Sequence, residues 1–541
     1  MVLCVVSYVE AVEATEDNTS PGDHCVSMSL VAMKTITIDG EHLTLGDLAT
    51  AAGGGARLAL HDGARQRVAA SRRALETLLS RGDAVYGANT GFGLLSDVRV
   101  SPADVVALQE NLIRSHCAGV GEPLRPSVVR AMIVLRANVL ARGHSAVRVE
   151  LIQALLDLYN ADVVPVIPSR GSVGASGDLA PLAHLSLALM GEGEVLRDGT
   201  RVPAAAALDA AGLSPLRLAS REGIALVNGT QAMTALGVLS LLEAETLMTQ
   251  TDIAGAMTLD GLLGSAKPFD ERLARLRPHP GHAASAENVR RLVAGSGLMA
   301  SHQACGKVQD SYSLRCIPQV HGAARDALTY IRSILENEIN AVNDNPIFFP
   351  ETGEAVPGGN FHGAPVAQAM DLFCLALTDV CSISERRTER LVNPALSGLP
   401  AFLAARPGLE SGFMMAQVTA AALTSENKSL SHPASVDSIP TGAGKEDHVS
   451  MGVTAAHKAA AVLANTTSAV AIELMTAAAA IDLRRPLKTS PALEAVHAAV
   501  RARVAPLRGD RALAADIETL AGMLASGEVK AAAESAIGEL R

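Results

Sequence analysis

HVSMGVTAAHKAAAVLANTTSAVAIELMTAAAAIDL, residues 448–483, sets the architecture of the chain. Apolar residues recur along it at helical spacing, no proline interrupts it, and twelve of its 36 residues are alanine. Alanine is the best helix former, and its small side chain lets neighbouring helices approach closely. The run is longer than the usual globular helix of about 8–20 residues. Similar apolar-periodic runs occupy 229–258, 322–341, 364–392 and 412–430. Shorter helical patterns fill 101–142, and another starts near Asp178 in DLAPLAHLSLALMGEG. Strand signals are confined to short pieces such as Thr35–Ile38 and Val163–Ile167. Together these patterns predict a mainly α protein, a bundle of long helices with loops at its ends and a small mixed N-terminal region.

Composition agrees. Of 541 residues 48% are hydrophobic and 19% charged, which excludes disorder over most of the length. With 8 Phe, 5 Tyr and no Trp, the core must be built from Ala, Leu, Val and Met. The net charge of −11 argues against a nucleic-acid partner, and no basic run with interleaved aromatics reverses that. Apolar Val2–Val9 is followed by Glu10, Glu13, Glu16 and Asp17 and has no basic lead, so neither a secretory signal nor a membrane span is expected there. Seven widely spaced cysteines without a CxxC argue against a disulfide framework or a zinc site and favour the cytoplasm. Three segments are expected: a disordered leader or extension over 1–33, an N-terminal region over 34–220, and a long helix bundle with C-terminal helices over 221–541.

Chemistry concentrates in the loops between helices, where Gly and amide side chains replace apolar residues. GASGD (174–178) misses the nucleophile elbow, which needs Gly where Asp178 stands. TGAGKED (441–447) misses a phosphate loop, because Ile439 and Glu446 occupy the required Gly and Ser/Thr positions. His279 and His282 lie in HPGH, where Pro and Gly predict a solvated turn rather than a metal-binding helical face. The tripeptide Ala175-Ser176-Gly177 supports a rarer chemistry. Attack of the Gly177 amide nitrogen on the Ala175 carbonyl, with loss of two waters, would leave a ring bearing an exocyclic methylene. Only small residues permit so tight a turn. The product is a strong electrophile that no ordinary side chain supplies.

GSVGASGDLAPLAH (171–184) resembles the signature of the ammonia-lyases and aminomutases that carry this 4-methylidene-imidazol-5-one (MIO) group. YGANTGFG (86–93), NLIRSHCAGVG (111–121), REGIALVNGTQ (221–231), VQDSYSLRCIPQVHGA (308–323), GGNFHG (358–363), SERR (384–387), SENKSLSHPASVDSIP (425–440) and EDHVSMG (446–452) resemble motifs of the histidine ammonia-lyase family, in the family order. They span roughly residues 35–535. The resemblance implies a long-helix bundle of the histidine ammonia-lyase/fumarase-like type, with no metal and no external cofactor. It also implies a homotetramer whose active sites draw loops from several subunits.

The same resemblance assigns roles. Tyr86 is the expected catalytic base, although a free phenol titrates near pH ~10 and must be perturbed to serve. Arg315 is expected to clamp the substrate carboxylate, a task suited to its planar fork. Asn228, Gln309 and Tyr312 form a polar ring around the MIO group and the carboxylate, and Phe361 packs on the substrate's ring. His116 and Glu446 occupy the positions that select the ring, and a carboxylate there accepts an imidazole N–H. Elimination of ammonia from L-histidine, giving trans-urocanate, is therefore expected. Three departures lie close by: Asn343 in NDNP, Gly444-Lys445 before Glu446, and Ser311 in QDSYSLRC. They keep tyrosine 2,3-aminomutase and tyrosine ammonia-lyase open as alternatives with the same chemistry.

Overall fold

The structure is a computed structural model that describes residues 33–303 and 306–541. The expected leader, apart from Met33, lies outside the described residues. The chain opens with β1 (Lys34–Ile38), which pairs in parallel with β2 (Ala56–Leu60) through an intervening helix. Helices α1 (Val105–His116), α2 (Pro126–Ala141) and α3 (Ala180–Leu189) follow, together with short antiparallel ladders. The bundle is built from α4 (Gln231–Gly261), α5 (Pro280–Leu292), the single turn α6 (Tyr312–Arg315), α7 (Ile317–Glu338), α8 (Ala364–Val392), α9 (Met414–Leu430) and α10 (Gly452–Leu483). Three further helices, α11 (Pro491–Arg503), α12 (Ala514–Ser526) and α13 (Glu528–Ile537), close one end.

Helix α10 occupies the centre. Every residue from Ala469 to Ile481 is buried, so this stretch is surrounded on all sides rather than amphipathic. It packs against α4, α8 and α9, with α7 wedged against α4 and α8. Helices α4, α8 and α10 are each long and apolar enough to cross a membrane by length and composition. Their most apolar windows are 72%, 61% and 78% buried inside the protein, so that surface is spent on helix–helix packing.

Charges inside this core are paired. Arg387 of α8 donates to both carboxylate oxygens of Glu473 of α10, at 2.5 and 2.8 Å, and Thr258 and Ser384 donate to the same carboxylate. Arg387 also donates to His321 Nε2 at 3.4 Å, so the other ring nitrogen carries the proton that it shares with Asp252 at 2.7 Å. Burial holds the His321 imidazole below its usual range, against the pull of the Asp252 carboxylate. Unpaired, any of these charges would cost several kcal/mol (roughly 3–5).

Two expectations are corrected. HPGH is not a solvated turn: His279 caps α5, Pro280 takes the first helical position where its missing N–H costs nothing, and His282 is buried. Gly281 allows the approach of α7, since a Cβ there would lie 2.2 Å from the Gly322 carbonyl oxygen. The helix expected from Asp178 begins at Ala180 instead, because Leu179 takes φ +38° and breaks the helical path.

Candidate active site

The Ala175-Ser176-Gly177 turn sits where three helices begin. Asp178 N–H donates to the Gly229 carbonyl at 2.7 Å, and the Asp178 carboxylate accepts from Ala232 N at 2.5 Å, capping α4. Met451 N–H donates to the Val173 carbonyl at 2.9 Å just before α10 starts at Gly452. The N-termini of α3, α4 and α10 thus adjoin one loop, and their positive dipole ends favour negative charge there. Ser176 lies at φ +52° and Gly177 at φ +82°, a left-handed pair that folds the chain back on itself. At Gly177 a Cβ would stand 2.2 Å from the Gly229 oxygen, so only glycine fits. Burial drives the Asp178 carboxyl up to about 7, although the Ala232 and Met233 amides oppose it.

Glu446 reaches this turn from the loop before α10. Ser176 Oγ donates to its Oε1 at 3.2 Å, and Thr441 Oγ1 donates to its Oε2 at 2.6 Å. Thr441 and Glu446 also face each other as an isolated antiparallel bridge across Gly442, Ala443 and Gly444. His116 closes α1 nearby. Burial lowers its pKa, and the negative charge of Glu446 pulls the other way.

Asn228 is buried immediately before Gly229. Its amide donates to Asp344 Oδ1 at 3.2 Å and to the Asn345 carbonyl at 3.3 Å, while Arg221 holds the same Asp344 oxygen at 3.0 Å. Tyr86 lies in a loop tied down by Gln109, which donates to the Gly87 carbonyl at 3.0 Å and accepts from Gly223 N. The Tyr86 hydroxyl accepts from Gly93 N at 3.3 Å, and the Gly93–Leu95 turn packs against the Gly442–Gly444 turn. Tyr86, His116, Asn228, Ser176 and Glu446 therefore belong to one connected assembly.

The remaining expected residues are not brought to it. Gln309 is exposed, Tyr312 is 70% exposed, and Arg315 stacks its guanidinium 4.6 Å over the Tyr312 ring. The Arg315 Nε is buried without a hydrogen-bond partner among the described residues. This corner, at α6, meets α7 and α8 rather than the Ser176 turn. Phe361 is half-buried in a loop anchored by Gly358 N to Asn345 Oδ1 at 2.8 Å and by stacked His362 and His448.

The departures separate in the same way. Asn343 is buried and bonds to Thr230, Gln231 and Glu338, behind the turn. Lys445 is exposed, and Ser311 caps the outward corner. Two residues escaped the motif reading. Asp178 acts through tertiary capping that no local pattern signals. Thr441 stood in plain view inside TGAGKED, five residues before the carboxylate it holds.

The sequence profile of the aromatic amino acid lyase family matches residues 43–502. Histidine ammonia-lyase of Sorangium cellulosum is 55% identical, covering 93% of this chain and 99% of that one. The crystal structure of histidine ammonia-lyase from Trypanosoma cruzi superposes with a TM-score of 0.86 at 41% identity, covering 93% of this chain and 96% of that one. Tyrosine aminomutase from Streptomyces globisporus gives a TM-score of 0.88 at 39% identity, covering 94% and 99%. With the profile running through the Tyr86 loop, the Ser176 turn and the Glu446 hairpin alike, the chain belongs to the aromatic amino acid lyase family.

Proposed function

We propose that the protein eliminates ammonia from L-histidine to give trans-urocanate. The observation that carries this reading is Glu446: a carboxylate, 3.2 Å from Ser176 Oγ and with His116 close by, faces the turn where the amino acid must react. A carboxylate accepts an imidazole N–H and favours the charged ring, which a phenol or phenyl substrate would not repay. Identity of 55% to histidine ammonia-lyase of Sorangium cellulosum supports the same substrate.

Ala175, Ser176 and Gly177 would hold the MIO group, and their small side chains and left-handed turn fit a ring closed between neighbouring peptides. When formed, that group supplies an electrophile for the substrate amine, so no external cofactor and no metal is needed. The chain's other residues then divide the work. Tyr86 takes the proton at the substrate's β-carbon. Glu446 and His116 orient the imidazole, Asn228 adds a buried polar contact, and Arg315 binds the carboxylate through its fork.

Gln309 and Tyr312 are exposed, the turn that carries Tyr312 and Arg315 packs on α7 and α8, and Phe361 lies in a separate loop. A second and third copy supplying them would complete each site, and a homotetramer provides such copies. All four described cysteines are free, in keeping with a reducing compartment such as the cytoplasm.

Tyrosine 2,3-aminomutase is the second reading, favoured by the fold likeness to the Streptomyces globisporus enzyme. The two are separated by incubating the protein with L-histidine or L-tyrosine and following urocanate and coumarate absorbance, with chromatography for β-tyrosine. Urocanate should accumulate. Turnover of tyrosine with histidine untouched would replace the histidine reading, and turnover by Ser176→Ala would remove the MIO group from it.

A further inference from the structure

The TGAGKED segment has no phosphate to bind, yet its geometry is specific. Gly442, Ala443 and Gly444 take φ of +55°, +55° and +84° in succession. Glycine takes this conformation freely, but for Ala443 it is costly and is kept only because the surrounding structure demands it. Here the three residues turn the chain sharply enough that Thr441 N–H donates to the Glu446 carbonyl at 3.0 Å and Glu446 N–H returns a bond to the Thr441 carbonyl at 3.3 Å. The backbone turn alone does not orient the Glu446 side chain.

Two features do. Thr441 Oγ1 donates to Glu446 Oε2 at 2.6 Å. Gly442 leaves room for the carboxylate, because a Cβ there would stand 3.0 Å from Oε2 and 3.1 Å from Cδ. With Oε2 engaged, Oε1 is the oxygen turned toward Ser176. Charge-assisted hydrogen bonds of this kind are stronger than neutral ones and fix geometry as well as charge.

We infer that Thr441 is a positioning residue whose hydroxyl sets the Glu446 carboxylate with one oxygen facing the reacting turn. The inference deepens the reading of Glu446 as the group that receives the substrate's ring, and rests on it. Thr441 itself reaches neither the turn nor the substrate. It acts by denying the carboxylate its other rotamers.

A double-mutant cycle on the assembled enzyme tests this. Thr441→Val, Glu446→Gln, the double variant and Thr441→Ser are prepared, and intact mass establishes that each carries the same loss of two waters. Thr441→Val keeps the side-chain shape and the backbone bridge but removes the donor, and should lower kcat/KM for L-histidine about tenfold or more. Thr441→Ser should restore it to within about threefold, because the hydroxyl and not the methyl does the work. In the Glu446→Gln background the Thr441→Val change should cost almost nothing. Equal losses in both backgrounds, or failure of serine to rescue, would overturn the inference. If Glu446→Gln turns over histidine as well as the unaltered protein, the role of Glu446 is wrong, and that of Thr441 falls with it. Only that outcome touches the substrate assignment.

Discussion

Two regions carry the residues expected around the substrate, and they are built in opposite ways. Around Ser176, one chain gathers Tyr86, His116, Asn228 and Glu446 onto the starts of three helices, with burial and hydrogen bonds fixing each. At the α6 corner, Gln309, Tyr312 and Arg315 lie on or near the surface, and the Arg315 Nε has no hydrogen-bond partner among the described residues. The Arg315 guanidinium is instead stacked on an exposed tyrosine, with its Nε buried. On the reading proposed above, the contrast means that one chain completes only half of its site.

Arg315→Ala offers the largest test of this contrast. If the corner serves a reacting site, kcat/KM for L-histidine should fall by a hundredfold or more (roughly 2–5 kcal/mol for a lost buried charge contact) while the fold stays intact. An unchanged kcat/KM would make the corner mere surface. Next is Glu473→Gln, which strands the Arg387 guanidinium in the core of the bundle beneath that corner. It should remove about 3–5 kcal/mol of stability, read as a lowered denaturation midpoint. A midpoint equal to that of the unaltered protein would mean the buried pair is not needed to hold α8 against α10.

The smallest effect is on the side of the gathered region. Burial holds His116 below its usual range, so below pH ~6.5 the unfolded chain binds more protons than the folded one. Stability therefore falls as pH drops through that value, and His116→Gln should lose less of its melting temperature between about pH 7.5 and 5.5 than the unaltered protein does. An identical loss in both would contradict the lowered His116 pKa.

Much of the fold was legible in the sequence because long alanine-rich helices announce themselves by periodicity. The run 364–392 matches α8 to the residue, whereas 448–483 overran α10, since His448–Met451 keep an apolar look while Met451 turns left-handed at φ +55°. HPGH was misjudged because Pro and Gly signal turns locally, and only the packing of Gly281 on Gly322 turns them into a helix start. The motifs named the expected site residues in both regions. They could not say which residues meet, because Ser176 and Glu446 are 270 positions apart and the Arg315 Nε finds no hydrogen-bond partner among the described residues. Asp178 acquires its role from a tertiary contact, whereas Thr441 acts within its own hairpin, where no motif marks the bond.

The most direct test of a site divided between copies is complementation. Ser176→Ala damages the gathered region and Arg315→Ala the outward corner, so each homogeneous protein should be nearly inactive. Co-expressed, the two chains should regain histidine turnover at up to about a quarter of the normal sites, the share that draws an intact turn and an intact corner from different copies. Mixed assemblies as inactive as their parents would contradict it and place both halves of the site in a single chain.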